Sequence, residues 1–249
     1  IREAAEIGVE VLTDRIVTEI TPEREITALG RDGMRQLRPL ALVLATGCRE
    51  RTRGAIAIPG TRPAGVYTAG VAQHLVNMQN ILVGRRAVIL GSGDIGLIMA
   101  RRLTLEGVQV VEVLEKLPYC SGLARNVAQC LDDYDIPLSL SHTVIDIQGR
   151  DRVEGVVCAR VDETGKPVPG TERTIDCDTL ILSVGLIPEN ELAQSMGVAL
   201  HPMTGGAVVD AHYMTNIPGV FACGNALHVN DLVDFVSEEG ELAGEAAAR

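Results

Sequence analysis

Arg86-Ala87-Val88-Ile89-Leu90-Gly91-Ser92-Gly93-Asp94-Ile95-Gly96 is the stretch that decides the fold. A short apolar strand runs into three glycines spaced G-x-G-x-x-G, and a helical stretch, Leu97 to Glu106, follows. Gly107 serves as the helix stop, where a left-handed backbone is often required. Val108 to Leu114 is the next apolar strand, and it ends at Glu115. This is one strand–helix–strand unit of about thirty residues.

Each glycine has a separate expected task. Gly91 permits the tight turn, Gly93 lets a pyrophosphate approach the backbone, and Gly96 lets the helix lie close to the strand. Ser92, Asp94 and Ile95 complete the turn. The helix N-terminus then offers unpaired N–H groups and its positive dipole end to phosphates. Glu115 lies 19 residues after Gly96, where a carboxylate accepts hydrogen bonds from both ribose hydroxyls. Its charge repels a 2′-phosphate, so NAD is expected over NADP; Lys116 beside it weakens that preference. An isolated glycine pattern carries little weight. Strand, helix and terminal acid together carry much more.

Outward from this unit, the chain alternates short apolar runs with glycine-bearing turns. Glu25–Leu29 and Arg35–Leu37 read as a hairpin around Arg31-Asp32-Gly33. Leu40–Leu44 is an unbroken apolar run, as in a strand covered on both faces, and it ends in Ala45-Thr46-Gly47. Tyr67 to Asn80 and Asn126 to Tyr134 read as helices. Pro137–Leu140, Val144–Gln148, Val153–Val161, Leu180–Val184, Gly206–Val209 and Val220–Ala222 read as strands, with Gly185 closing one of them. Leu232 to Arg249 has helical spacing. The sequence does not begin with Met, and Ile1–Gly8 reads as the tail of a helix already under way, so a preceding segment is expected.

A second constellation is Thr215-Asn216-Ile217-Pro218-Gly219-Val220-Phe221-Ala222-Cys223-Gly224-Asn225. A strand ends at a glycine and a short polar side chain, and a helix follows. Gly224 allows close backbone approach, and Asn225 is able to hydrogen-bond a hydroxylated chain. The positive end of the closing helix suits negative charge on a reduced flavin.

Ala-Thr-Gly after an apolar strand, the glycine fingerprint, and Thr-Asn-x-Pro-Gly-Val-Phe-Ala-Cys-Gly-Asn, in that order, resemble the pyridine nucleotide-disulfide oxidoreductase superfamily. The resemblance implies an α/β fold of two Rossmann-like, three-layer dinucleotide-binding domains, with the NAD domain inserted in a truncated FAD domain. The expected boundaries are residues 66–196 for the NAD domain and residues 1–65 with 197–249 for the FAD part. Carried over, Gly91 to Gly96, Glu115 and Gly185 bind the nicotinamide nucleotide. Ala45, Thr46 and Gly47 pass near FAD, and Gly224 and Asn225 contact its ribityl and pyrophosphate region.

Four departures bear on the reaction. The family's redox disulfide is missing, Asn225 stands for the usual Asp, Asp94 for a frequent Tyr, and Ile98 for a usual Glu. The ending Gly224 to Glu239 is similar to FAD/NAD-type subunits of heteromeric dehydrogenases acting on proline, opines, glycine (cyanide-forming) or glycerol phosphate. The expectation is therefore an FAD-dependent pyridine nucleotide oxidoreductase moving hydride and electrons between NAD(H), flavin and a partner redox subunit or small-molecule substrate. The alternative is an electron-relay or assembly subunit whose nucleotide fold is mainly structural. No side chain stands out as acid, base or nucleophile, which suits cofactor-borne hydride transfer. The complete protein is expected to bind FAD, and this chain alone to be flavin-free.

Composition narrows the remainder. The formal net charge is −11 with no basic stripe, which argues against nucleic acid as partner. No apolar run has the length of a membrane span. The six cysteines are spaced ten or more positions apart, so no CxxC pair or clustered zinc site is expected, and no metal. Reduced, mostly buried thiols point to the cytoplasm. A homo- or hetero-oligomeric state stays open. His228 reads as a structural loop residue, and Glu238, Glu239 and Glu241 as a solvated helix face.

Overall fold

Alternate residues of the strand Arg86–Leu90 are buried on opposite faces. Ala87 and Ile89 join one apolar core with Leu97, Met99 and Leu103 of the helix Asp94–Leu105. Val88 and Leu90 join another with Val144, Ile147, Val156 and Ile175. Both faces must be covered because a parallel sheet carries apolar side chains above and below. The computed structural model describes residues 2–230 and 232–249. Ile1, at the head of the expected helix tail, and Asp231, in the ending quoted above, lie outside the described residues.

The chain forms two units, Glu50–Leu186 and Ile1–Arg49 with Ile187–Arg249. The first holds a five-stranded parallel sheet in the order Val66–Thr68, Thr179–Leu182, Arg86–Leu90, Gln109–Leu114, Leu138–Ser139. The helices Ala69–Gln79, Asp94–Leu105 and Ala124–Cys130 contribute to the first core. The other face carries an antiparallel sheet, His142–Gln148, Gly155–Arg160, Arg173–Asp176. The three layers are therefore helix, parallel sheet and antiparallel sheet.

The second unit is built by itself around another core, with Leu44, Ala193, Met196, Val220 and Ala222. Leu42–Leu44 pairs in parallel with Val220–Ala222. Arg15–Ile20, Ile26–Gly30 and Gly33–Leu37 form an antiparallel sheet, its hairpin closing at Gly30 opposite Gly33. The chain ends in the helix Val233–Ala248.

The seams differ from the expected 65/66 and 196/197. Residues 50–65 are tied to the inserted unit. Glu50 accepts the Gly70 N–H at 2.7 Å and so caps the helix Ala69–Gln79. Arg51 donates its N–H to the Gly185 carbonyl, and Thr61 to that of Ile147. At the other seam, the Asn190 carboxamide donates to the Gly205 and Ala226 carbonyls, and Ala193 and Met196 enter the second unit's core.

Two elements also differ. The expected helix from Tyr67 begins at Ala69, because Val66–Thr68 is taken as a sheet strand. Gly206–Val209 is not a strand; its only ladder contact among the described residues is an isolated bridge from Ala207 to Leu200. The Gly206 carbonyl accepts from the His201 N–H and the Val208 N–H donates to the Ala199 carbonyl, and a Cβ at Gly206 would collide with the Leu227 carbonyl oxygen.

Candidate nucleotide site

Within the inserted unit, a cleft of about 730 Å³ opens where Gly91, Gly93, Glu115, Ser121 and Gly185 come together. It lies beyond the carboxyl ends of Arg86–Leu90 and Thr179–Leu182. These neighbours flank the point where strand order reverses, which is where open α/β sheets bind ligands.

The three glycines differ in what a side chain there would meet. Gly91 has φ +104, and a Cβ there would collide with the Ser183 carbonyl oxygen. A Cβ at Gly96 would collide with the Gly91 carbonyl and lie 3.1 Å from Ser183 Oγ. Gly93 is different: a Cβ there would find nothing nearer than Ser121 Oγ at 3.9 Å. The open space therefore lies over the middle glycine. Gly93 is also the N-cap of the helix Asp94–Leu105 and supplies no side-chain acceptor to the first N–H groups. Those orphan donors facing open space fit an anionic pyrophosphate. Gly185, at φ +95, likewise leaves room, with Arg51 the nearest side chain at 3.9 Å.

Other expected contacts are turned to the protein itself. Ser92 is fully buried. Its hydroxyl donates to Glu115 Oε2 at 2.6 Å, and its N–H donates to the same oxygen at 2.9 Å. Asp94 Oδ1 accepts from the Leu123 N–H at 2.8 Å and Asn126 Nδ2 at 2.7 Å. Ile95 is partly exposed on the helix. The loop 116–123 was not read from sequence as part of the site. Its only sequence signal is the small pair Ser121-Gly122 just after a strand-end acid.

In the second unit, the expected flavin residues follow the paired strands. Gly47, at φ +73, has nothing within 4 Å of a Cβ position. Thr46 Oγ1 donates to the Glu189 carbonyl at 2.6 Å, and Ala45 is exposed. The Gly224 N–H donates to Glu239 Oε2 at 2.8 Å. Asn225 Oδ1 accepts from the Asn230 N–H at 3.0 Å, and its Nδ2 approaches Cys48 Sγ at 3.6 Å. Glu239 is thus not part of a solvated face, although Glu238 and Glu241 are exposed. Gly47 therefore leaves its surroundings open, whereas Gly224 and Asn225 have their polar groups engaged within the chain. His228 is exposed.

All six cysteines are free thiols; Cys130, Cys158, Cys177 and Cys223 are buried, and Cys48 and Cys120 half-buried. Burial raises the four buried thiols, Cys177 to about 11. A thiol reagent at neutral pH attacks the thiolate and needs access. Titration with an aromatic disulfide is expected to modify Cys48 and Cys120 first and the other four only after denaturation. Rapid native modification of all six would contradict this burial pattern.

Among the described residues, no helix is long and apolar enough to cross a membrane. The family model "Pyridine nucleotide-disulphide oxidoreductase" matches residues 2–247. The chain is 32% identical, over 75% of its length, to the ferredoxin–NAD(+) reductase component of the biphenyl dioxygenase system of Paraburkholderia xenovorans. It is 26% identical, also over 75%, to hydrogen cyanide synthase subunit HcnB of Pseudomonas protegens. It spans 44% and 42% of those two proteins. The thioredoxin reductase of T. acidophilum superposes with a TM-score of 0.77 at 23% identity, over 99% of this chain and 77% of that one.

Proposed function

The chain belongs to the pyridine nucleotide-disulphide oxidoreductase family, and on that premise we propose that it works as an FAD-dependent pyridine nucleotide oxidoreductase. Hydride passes between NAD(H) and the flavin, and electrons pass on to a redox partner. The observation that carries this reading is the open space over Gly93 at an uncapped helix N-terminus. When bound, the two cofactors supply the hydride chemistry, and the protein binds, orients and shields them. Gly91, Gly93, Gly96 and Gly185 shape the nucleotide cleft; Ala45, Thr46, Gly47, Gly224 and Asn225 form the flavin-facing segment.

The partner is read from the reductase relative: a small electron carrier such as a ferredoxin. A second reading is favoured by the likeness to HcnB, in which the chain is the relay subunit of a heteromeric dehydrogenase. Anaerobic titration of the FAD-loaded protein separates the two. Bleaching of the flavin band by NADH or NADPH alone supports the first. Bleaching only after a partner subunit and its substrate are added supports the second. A flavin that neither route reduces would defeat both.

A further inference from the structure

Glu189 and Asn190 are adjacent in the chain, and each is bound to a different turn of the flavin-facing segment. All of these residues lie in the second unit. The Glu189 N–H donates to the Gly47 carbonyl at 2.9 Å, and the Glu189 carbonyl accepts from Thr46 Oγ1 at 2.6 Å. Its carboxylate accepts from Arg49, just past the same turn. Asn190 reaches the other turn. Its Nδ2 donates to the Ala226 carbonyl at 2.6 Å and to the Gly205 carbonyl at 2.9 Å. One dipeptide therefore joins residues 45–47 to Gly224–Ala226.

The Asn190 side chain serves this joint rather than its own helix. Asn190 is the N-cap of Glu191–Ser195, where an asparagine Oδ1 ordinarily accepts from an N–H of the first turn. No side-chain cap bond forms here. Both neighbours of the carboxamide are carbonyl oxygens, and only its NH2 end donates, so the orientation of the amide is fixed. Asn190 is 4% exposed, and its Oδ1 is buried with no donor among the described residues. A buried acceptor without a donor is unfavourable. The arrangement is therefore a poor one for the short helix alone. What it secures is the place of the Ala226 carbonyl relative to the Gly47 turn.

We propose that Asn190 is a positioning residue for the flavin site, fixing Gly224–Ala226 against residues 45–47 and so setting the spacing at which the two turns meet the flavin nucleotide. This rests on the flavin reading above, but the joint itself is testable without ligand. The experiment compares wild type with Asn190→Leu, which keeps the bulk and removes both donors, and Asn190→Ser, which keeps a good N-cap but carries no NH2 to Ala226. Asn216→Leu is the control in the same unit, since Asn216 joins Gly197 to Ala199 and touches neither turn. Flavin fluorescence titration gives the FAD affinity. Visible circular dichroism of the flavin is recorded at saturating FAD, and amide hydrogen exchange is followed in the flavin-free protein.

Both Asn190 variants are expected to weaken FAD binding by about tenfold, and the bound flavin should lose dichroic intensity even at saturation. Exchange at the Leu227 and His228 amides, which donate to the Gly224 carbonyl, should speed by at least about tenfold, while the strand Val220–Ala222 stays protected. Asn216→Leu should lower the melting temperature and leave the FAD affinity and the flavin signal alone. A merely structural role would loosen Val220–Ala222 as well, or leave the flavin signal of the saturated variants as in wild type; either result overturns the proposal. Unchanged exchange at Leu227 and His228 overturns it too. If wild type binds no FAD, the flavin reading fails, and the exchange result alone decides the joint.

Discussion

Gly93→Val is expected to weaken nucleotide binding by more than about a hundredfold while leaving the melting temperature almost unchanged. Gly93 sits at φ −62 and ψ 162, extended backbone that a β-branched residue adopts without strain. Its Cβ would stand in open space, so the folded chain loses nothing. The valine methyls would fill the volume through which a pyrophosphate reaches the helix N-terminus. Hydrogen bonds to a charged group are worth about 1.5–3 kcal/mol each, so losing two costs about 3–6 kcal/mol. At about 1.4 kcal/mol per tenfold, that is at least two powers of ten.

The neighbouring glycines give the contrast. Gly91→Ala places a side chain at φ +104 against the Ser183 carbonyl, and Gly96→Ala drives one into the Gly91 carbonyl. Both should lower the melting temperature before any effect on binding is read. Calorimetry with NADH and NADPH, beside thermal melts of all three variants, is the measurement. A folded Gly93→Val protein with wild-type affinity would remove the observation on which the proposed function stands.

The contrast between the open glycine and its two crowded neighbours was legible in the sequence because each follows from local backbone geometry next to a strand and a helix. The hairpin at Arg31-Asp32-Gly33 was legible for the same reason. Glu115 was legible as a strand-end acid, but not its orientation. That depends on Ser92 and Leu117, which the fold brings to it from either side. Glu239 looked like one of several exposed helical acids, and only the tertiary path of the Gly224 loop gives it a donor. The domain seam was hidden because residues 50–65 look like a linker in composition, yet their partners, such as Ile147 and Gly185, are distant in sequence. Arg173–Asp176 was missed as a strand because four residues, two of them charged, show no periodicity; its buried member is Ile175.

That missed strand carries the ion pair behind the other large expected effect, a loss of about 2–3 kcal/mol of stability in Arg173→Met. Glu112 lies on the strand Gln109–Leu114, with its side chain 10% exposed. Arg173 holds it from the antiparallel sheet with two hydrogen bonds, at 2.6 and 2.8 Å, and the Ser139 hydroxyl donates to it as well. The pair therefore clamps two layers of the inserted unit. Removing one partner of a fully buried pair costs about 3–5 kcal/mol; Arg173 is 41% exposed, so solvent screening lowers the figure. For a protein of this size the shift is roughly 5–10 °C in melting temperature. Replacing both partners, as Glu112→Leu with Arg173→Met, should recover most of it, since apolar isosteres of a buried pair are often neutral.

The pH dependence fixes the assignment to Glu112. Burial alone would raise its carboxyl, but the hydrogen bonds from Arg173 and Ser139 outweigh burial and hold it below its ordinary value. A depressed carboxylate contributes stability that is complete above the unfolded value, about 4.3, and is lost as pH falls through the folded one. In Arg173→Met burial, the largest single cause, is opposed only by the Ser139 hydrogen bond and the nearby His142, and the carboxyl rises instead. The folded variant then binds the proton before the unfolded chain does, so acidification toward about pH 4.3 stabilises it. The stability difference between wild type and Arg173→Met should therefore be largest near neutral pH and shrink steadily on acidification. Denaturant titrations across that range measure it directly; a difference that stays constant with pH would mean that Arg173 acts by packing and not through its charge on Glu112.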